Sequence, residues 1–152
     1  MMEKEPKVID GGKFVDDRGP LSFVNDFNFE GVKRFYQVEN HVSRYIRAWH
    51  GHAIEGKYVY VPKGAALVQA LPLDYAPHVL DAKDLGLVRV VLSSDTPKVL
   101  WIPPGHYNGF MNLTADTIVM FFSTTTMEES KGDDYRLVWN AFGPHLWQED
   151  YR

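Results

Sequence analysis

The chain has 152 residues, 45% of them apolar and 14% aromatic, which suits one domain around one core and excludes a disordered segment. The formal net charge is −4 with acids and bases intermixed, which argues against a general phosphate-backbone binder, so no nucleic-acid partner is expected. There is no cysteine, hence no disulfide and no thiolate chemistry, and no apolar run approaches the ~18 residues of a membrane span. The polar start Met1–Lys7 does not read as a signal peptide. Together these features lead to the expectation of a cytoplasmic, single-domain protein over residues 1–152, with no membrane partner.

In chain order, most segments read as short strands. Lys13–Val24 holds Asp16-Asp17-Arg18-Gly19-Pro20, a turn between two extended pieces. Val32–Val38 is a candidate strand, and Tyr45–Ala53 and Lys57–Val61 follow it. Pro62-Lys63-Gly64 makes a tight connection to Ala65–Leu73, which is expected to pair with the strand before it. Tyr75–Gly86 reads as a longer loop. Leu87–Ser93, Val99–Ile102, Tyr107–Met111 and Thr117–Ser123 are further strands, each bounded by Gly, Pro, Asn or Asp. Met127–Asp134 reads as a helical turn or a loop. The end, Tyr135–Arg152, carries Trp139, Phe142 and Trp147 and is expected to pack back onto the body. Many short strands with regular turn signals indicate an all-β sandwich or barrel. So much aromatic surface on a small barrel leads to the expectation of a homodimer.

The chemistry concentrates in Arg47-Ala48-Trp49-His50-Gly51-His52 and the Lys57 that follows. On a strand, residues i and i+2 share a face, roughly 6–7 Å apart, so His50 and His52 look into the same space. The plainer alternative is a pair of histidines on a solvated strand face, with Lys57 an ordinary surface lysine.

The spacing resembles the cupin pattern, a double-stranded β-helix or jelly-roll barrel carrying His-x-His, Glu and Gly, then Pro-x-Gly-x-x-His-x-x-x-Asn. Here the order is His50-x-His52, Lys57, Gly64, then Pro103-x-Gly105-x-x-Asn108-x-x-x-Asn112. Lys57 stands where the carboxylate ligand would be and Asn108 where the third imidazole would be. An ammonium repels a divalent cation and an amide is a weak ligand. The resemblance therefore implies a cupin cavity with no metal and no cofactor.

From Phe35 onward the chain resembles the dTDP-4-dehydrorhamnose 3,5-epimerase family. Phe35-Tyr36-Gln37-Val38-Glu39-Asn40-His41-Val42-Ser43 and Arg47-Ala48-Trp49-His50 are similar to its Gln-Asp-Asn-His-Ser and Arg-Gly-Leu-His motifs. Asp17-Arg18-Gly19, Gly56-Lys57, Ile102-Pro103-Pro104-Gly105, Gly109-Phe110 and Trp139-Asn140 follow the family's order. The resemblance implies a nucleotide-linked 4-keto-6-deoxy sugar as substrate, in surface-polysaccharide or deoxysugar biosynthesis. His50 would remove a proton next to the ketone and Lys57 would stabilise the enolate oxygen. Arg18, Gln37, Asn40 and Arg47 would lie near the nucleotide diphosphate, and Asn108 in the substrate site. An imidazole with a fixed cation aimed at the oxyanion suffices for such a proton transfer.

The departures are specific. Ala48 replaces the family's glycine, and Asn108 its histidine before Gly-Phe. Met127 falls where the family's acid tyrosine stands, and methionine has no proton to give. Tyr107 and Tyr36 are the candidate substitutes, and Asp150 is a candidate to orient His50. The dTDP-sugar 3,4-ketoisomerases are a second resemblance, through Lys33-Arg34-Phe35-Tyr36 and the histidine pair, and give His52 a catalytic task. Three readings stay open: an epimerase-like isomerase, a 3,4-ketoisomerase, and a sugar-nucleotide-binding cupin without turnover. The tryptophans are read as packing groups, and His41 and His106 as loop or rim residues.

Overall fold

A computed structural model describes residues 3–81 and 86–149. The strands are β1 (Lys7–Asp10), β2 (Gly12–Asp16), β3 (Gly19–Phe23), β4 (Arg34–Glu39), β5 (Ile46–His52) and β6 (Lys57–Lys63). Then come β7 (Ala65–Pro72), β8 (Val88–Ser93), β9 (Lys98–Ile102), β10 (His106–Asn112), β11 (Ile118–Ser123) and β12 (Tyr135–Arg136). A 3-10 turn, Pro144–Trp147, lies near the end of the described chain.

Two antiparallel sheets face each other, one in the order β1-β9-β6-β11-β4 and the other β12-β5-β10-β7-β8, with β2-β3 as a separate hairpin. From β4 to β11 the chain changes sheet at every step except the β7–β8 hairpin. That winding is the expected cupin-type double-stranded β-helix. It corrects one expectation: β7 does not pair with β6. Pro62-Lys63-Gly64 carries the chain from one sheet to the other, β6 pairing with β9 and β11 while β7 pairs with β8 and β10. Gly64 serves this corner with φ +79, and a Cβ there would lie 2.5 Å from Thr117 Oγ1.

Between the sheets, Val59, Val61, Val68, Leu92, Leu100 and Val119 form a fully buried core. The other face of the second sheet is covered by the chain end. Trp49, Leu71, Leu80, Phe142, Leu146 and Trp147 make this second cluster. The indole N–H groups of Trp49 and Trp147 both donate to the Trp139 carbonyl, at 3.0 and 3.1 Å. The end therefore packs back as expected, through Phe142 and Trp147, whereas Trp139 itself is 40% exposed. The consequence for β5 is alternation over Trp49–His52, while Ala48, like Trp49, packs against the outer cluster. Trp49 enters the outer cluster, which turns His50 and His52 inward.

A cleft between the two sheets

The inward residues at one end of the sandwich line a cleft of about 500 Å³. One sheet contributes Arg34, Tyr36 and Val38 from β4, Lys57 from β6 and Phe121 from β11. The facing sheet contributes Arg47, His50 and His52 from β5, and Asn108 and Phe110 from β10. The segment from Met127 to Arg136 closes one side. It is held as a turn by Thr126 and Glu129, whose side chains accept each other's backbone N–H at 3.1 and 3.2 Å.

Arg47 and His50 lie three apart yet both face the cleft, because β5 and β10 lose register between Asn108 and Phe110. Gly109 makes this possible: a Cβ there would sit 2.4 Å from the Ala48 Cβ.

Lys57 is 6% exposed. Its ammonium lies 5.8 Å from the Tyr36 ring centre and 5.6 Å from that of Phe121. Among the described residues it has no carboxylate within salt-bridge distance. Burial pulls its pKa below the usual lysine value, and the nearby charge of Glu55 opposes this. His50 is pushed down to about 4, first by burial and then by the positive charges of Lys57 and Arg136. It is therefore neutral at pH 7. Asn108 donates its amide N–H to the His50 carbonyl at 3.2 Å.

His52 is lowered as well, by burial and by Lys57, against the Asp133 carbonyl and the Glu55 charge. Its Nδ1 lies 2.6 Å from the Asp133 carbonyl and 3.4 Å from Glu55 Oε2, and its buried Nε2 has no partner. Glu55 is itself fixed by Arg34 at 3.0 Å and by the Ser123 hydroxyl at 2.5 Å. The Asp133 carboxylate accepts the backbone N–H groups of Ala53, Ile54 and Glu55 at 2.6, 3.0 and 3.0 Å. That clamp holds the turn between the histidines and Lys57.

The cleft brings together His50, His52, Lys57, Arg47 and Asn108 of the residues singled out from sequence. Gln37 is a correction: β4 alternates, Gln37 is on the exposed face, and Val38 is the residue that faces the cleft. Asn40 is also displaced. It lies in an adjoining depression with His41 and Tyr45, and both ends of its amide are engaged. Its oxygen accepts from Arg47 Nε at 2.7 Å and its nitrogen donates to Asn112 Oδ1 at 2.8 Å and the Tyr45 carbonyl at 3.2 Å. Asn40 thus orients Arg47. Arg18 is not brought to the cleft of its own chain. It sits in the β2–β3 turn, its side chain 85% exposed and paired with Asp16 at 2.6 Å, outside the cleft.

Met127 does line the cleft mouth, while Tyr107 turns outward against Phe142 at 5.8 Å. His106 is buried beneath the carbonyls of Pro103 and Pro104, not at a rim, and does not line the cleft. Asp150 lies outside the described residues. Sequence reasoning missed Glu55, Asp133, Arg136 and Asp134. Arg136 is the β-partner of His50 and is itself paired with Asp134 at 3.1 Å.

The donor set does not suit a divalent cation, since Lys57 and Asn108 stand at two ligand positions. Among the described residues no group of three or more His, Cys, Asp or Glu side chains is placed to hold a metal ion. Among the described residues no helix is long and apolar enough to cross a membrane.

A family model described as dTDP-4-dehydrorhamnose 3,5-epimerase matches residues 4–143. No curated protein sequence matches. Among solved structures, the chain is similar to the dTDP-4-dehydrorhamnose 3,5-epimerase of Bacillus anthracis with TDP and PPi bound. The TM-score is 0.70 at 21% identity, over 89% of this chain and 79% of that one. The Sulfolobus tokodaii enzyme of the same name gives 0.69 at 24% identity, over 90% and 79%. A sugar 3,4-ketoisomerase from Thermoanaerobacterium thermosaccharolyticum in complex with TDP gives 0.64 at 16%, over 90% and 91%. At such identities the structural likeness shows the shared fold. The family model reaches over most of the chain, and on that ground the protein belongs to the dTDP-4-dehydrorhamnose 3,5-epimerase family, a family of isomerases.

Proposed function

We propose that this chain is a nucleotide-sugar isomerase that moves a proton on a carbon next to the ketone of a dTDP-4-keto-6-deoxy sugar. His50 is the base, Lys57 holds the developing enolate oxygen, Arg47 pairs with the diphosphate and Asn108 lines the sugar end. One observation carries this reading: His50 and Lys57 reach one cleft from opposite sheets, the imidazole neutral and the ammonium without an anionic partner. A neutral imidazole is ready to accept a proton. A buried cation aimed at the oxygen where charge develops is worth about 2.7–4 kcal/mol in comparable sites. Guanidinium suits Arg47 to a diphosphate, because its planar fork meets two oxygens at once.

The chain works as a single domain in the cytosol and as a homodimer. Phe14, Val15 and Leu21 on the β2–β3 hairpin and Phe35 on β4 are each at least 60% exposed, and a second copy would cover them.

A 3,4-ketoisomerase is the second reading, favoured by the unpartnered Nε2 of His52. That nitrogen has no task in a simple epimerisation, whereas moving a ketone between adjacent carbons uses a second base.

The experiment is product analysis by NMR with dTDP-4-keto-6-deoxyglucose. An inverted C3 or C5 identifies an epimerase, and a ketone moved to C3 identifies a ketoisomerase. No product from this or the UDP-, GDP- or CDP-linked 4-keto sugars would contradict turnover, and leave a binding protein.

A further inference from the structure

Inversion needs a base on one face of the carbon and a proton donor on the other. Met127, which the resemblance puts in the place of the family's acid tyrosine, lines the cleft, and a thioether carries no proton. We propose that Tyr36 is the donor, delivering a proton to the substrate carbon on the face turned away from His50; the assignment rests on the isomerase reading above.

Elimination leads to Tyr36. His52 and Asn108 share the His50 wall, on the facing sheet. Lys57 is committed to the ketone oxygen. Glu55 is bound by Arg34 and Ser123, and Asp133 by three backbone N–H groups. Asp134 is paired with Arg136, Lys131 with Glu128 at 2.8 Å, and the Ser130 hydroxyl donates to the Met127 carbonyl at 2.9 Å. Tyr107 is turned out of the cleft against Phe142. What is left among the described residues lining the cleft is Tyr36, whose hydroxyl makes no hydrogen bond to any of them.

Its placement fits the task. Tyr36 comes from β4 and His50 from β5, on opposing sheets, and packed sheets stand roughly 10 Å apart. A sugar ring between them meets imidazole on one side and phenol on the other. The Tyr36 ring is fixed by stacking on Phe121, centres 5.0 Å apart and planes within 15°. Arg34 lies 5.1 Å and Lys57 5.8 Å from the ring centre, positive charge beside the phenolate that a proton transfer leaves. Burial, with the charge of Glu55, keeps the resting phenol protonated.

The step balances. His50 takes the α-proton, the C–H electron pair becomes the C=C bond of the enolate, and the ketone oxygen carries the negative charge against Lys57. The C=C pair then takes the Tyr36 proton on the opposite face, the ketone reforms, and phenolate and imidazolium return to their resting states through solvent.

The test compares wild type and Tyr36→Phe on dTDP-4-keto-6-deoxyglucose in deuterated water. NMR reads deuterium entry at C3 and C5 separately from inversion, and a thermal shift with dTDP checks fold and binding. Phenylalanine keeps the stacking on Phe121. The expected result is a dTDP shift and a His50-dependent exchange within about 3-fold of wild type, with inversion reduced about 100-fold or more. Inversion by Tyr36→Phe at the wild-type rate overturns the proposal. So does loss of exchange together with inversion while dTDP still binds, since Tyr36 would then act in the first step. Wild type that exchanges or moves the ketone without inverting a centre overturns the donor role but keeps the isomerase reading. Wild type with neither exchange nor product overturns both.

Discussion

His52 gives its Nδ1 proton to the backbone carbonyl of Asp133 across 2.6 Å. A carbonyl only accepts, so the ring is held as the Nδ1–H tautomer and Nε2 is left with a bare lone pair, buried and unpartnered. The same Asp133 fastens three backbone N–H groups with its carboxylate. One residue thus sets both the tautomer of His52 and the turn leading to Lys57.

Replacing Asp133 by alanine removes the acceptor of three N–H groups, that of Glu55 buried and those of Ala53 and Ile54 only partly so. Each unsatisfied donor costs about 1–3 kcal/mol, reduced where water can enter, so a loss of about 3 kcal/mol is expected from urea unfolding. A change below about 0.5 kcal/mol would contradict the clamp.

The pH profile follows from His50 and Lys57. The proposed reaction needs His50 neutral and Lys57 charged. The acid limb of kcat/KM should fall as pH drops through about 4, well below the usual imidazole range, because burial and two cations disfavour the imidazolium. The alkaline limb should lie below 10.5, because burial lowers Lys57. Stability has a related sign. The folded state binds the His50 proton less readily than the unfolded one, so His50 contributes nothing above pH 6.5 and destabilises progressively between about 6.5 and 4. Melting curves of wild type and His50→Gln from pH 7.5 to 4.5 should converge on acidification if His50→Gln is the less stable at pH 7.5. An acid limb near 6.5 would count against a buried His50.

Lys57→Met should separate activity from stability. Methionine fills similar space and removes a buried charge with no anionic partner, which leaves stability equal or higher. Turnover should fall about 100-fold or more, with dTDP binding retained. The same ammonium opposes a divalent cation, so wild-type activity should survive EDTA. Loss of activity to EDTA, restored by zinc, iron or manganese, would refute this account of Lys57.

Arg47 is held toward the cleft by Asn40 at 2.7 Å. Arg47→Ala should abolish the rise in melting temperature caused by dTDP, and Asn40→Ala should reduce it in part, since Asn40 acts through Arg47. A full dTDP shift in Arg47→Ala would remove Arg47 from the diphosphate site.

His50, His52 and Lys57 are readable from the chain because strand alternation assigns a face without any knowledge of partners. Gln37 shows the limit of the same rule. A slip of one residue reverses the face, and Val38 holds the inward position. Pro62-Lys63-Gly64 reads as a corner, but whether a corner returns into one sheet or crosses to another depends on distant partners, here β9 and β11 against β8 and β10. Glu55 and Asp133 are invisible for a related reason. The Asp133 carboxylate acts on groups 78 to 80 residues away along the chain, and the Glu55 carboxylate is fixed by Arg34 and Ser123, 21 and 68 residues away. Arg18 lies on the β2–β3 hairpin, outside the two main sheets, and strand alternation does not say where such a hairpin sits relative to the cleft.

In the proposed reaction His50 takes the first proton inside a cleft that Lys57 makes electropositive. The most direct test is solvent deuterium exchange into dTDP-4-keto-6-deoxyglucose by wild type and His50→Ala, both shown to bind dTDP by thermal shift. Wild type should exchange next to the ketone, and His50→Ala should show no exchange above background. Exchange at the wild-type rate by His50→Ala would contradict this role of His50.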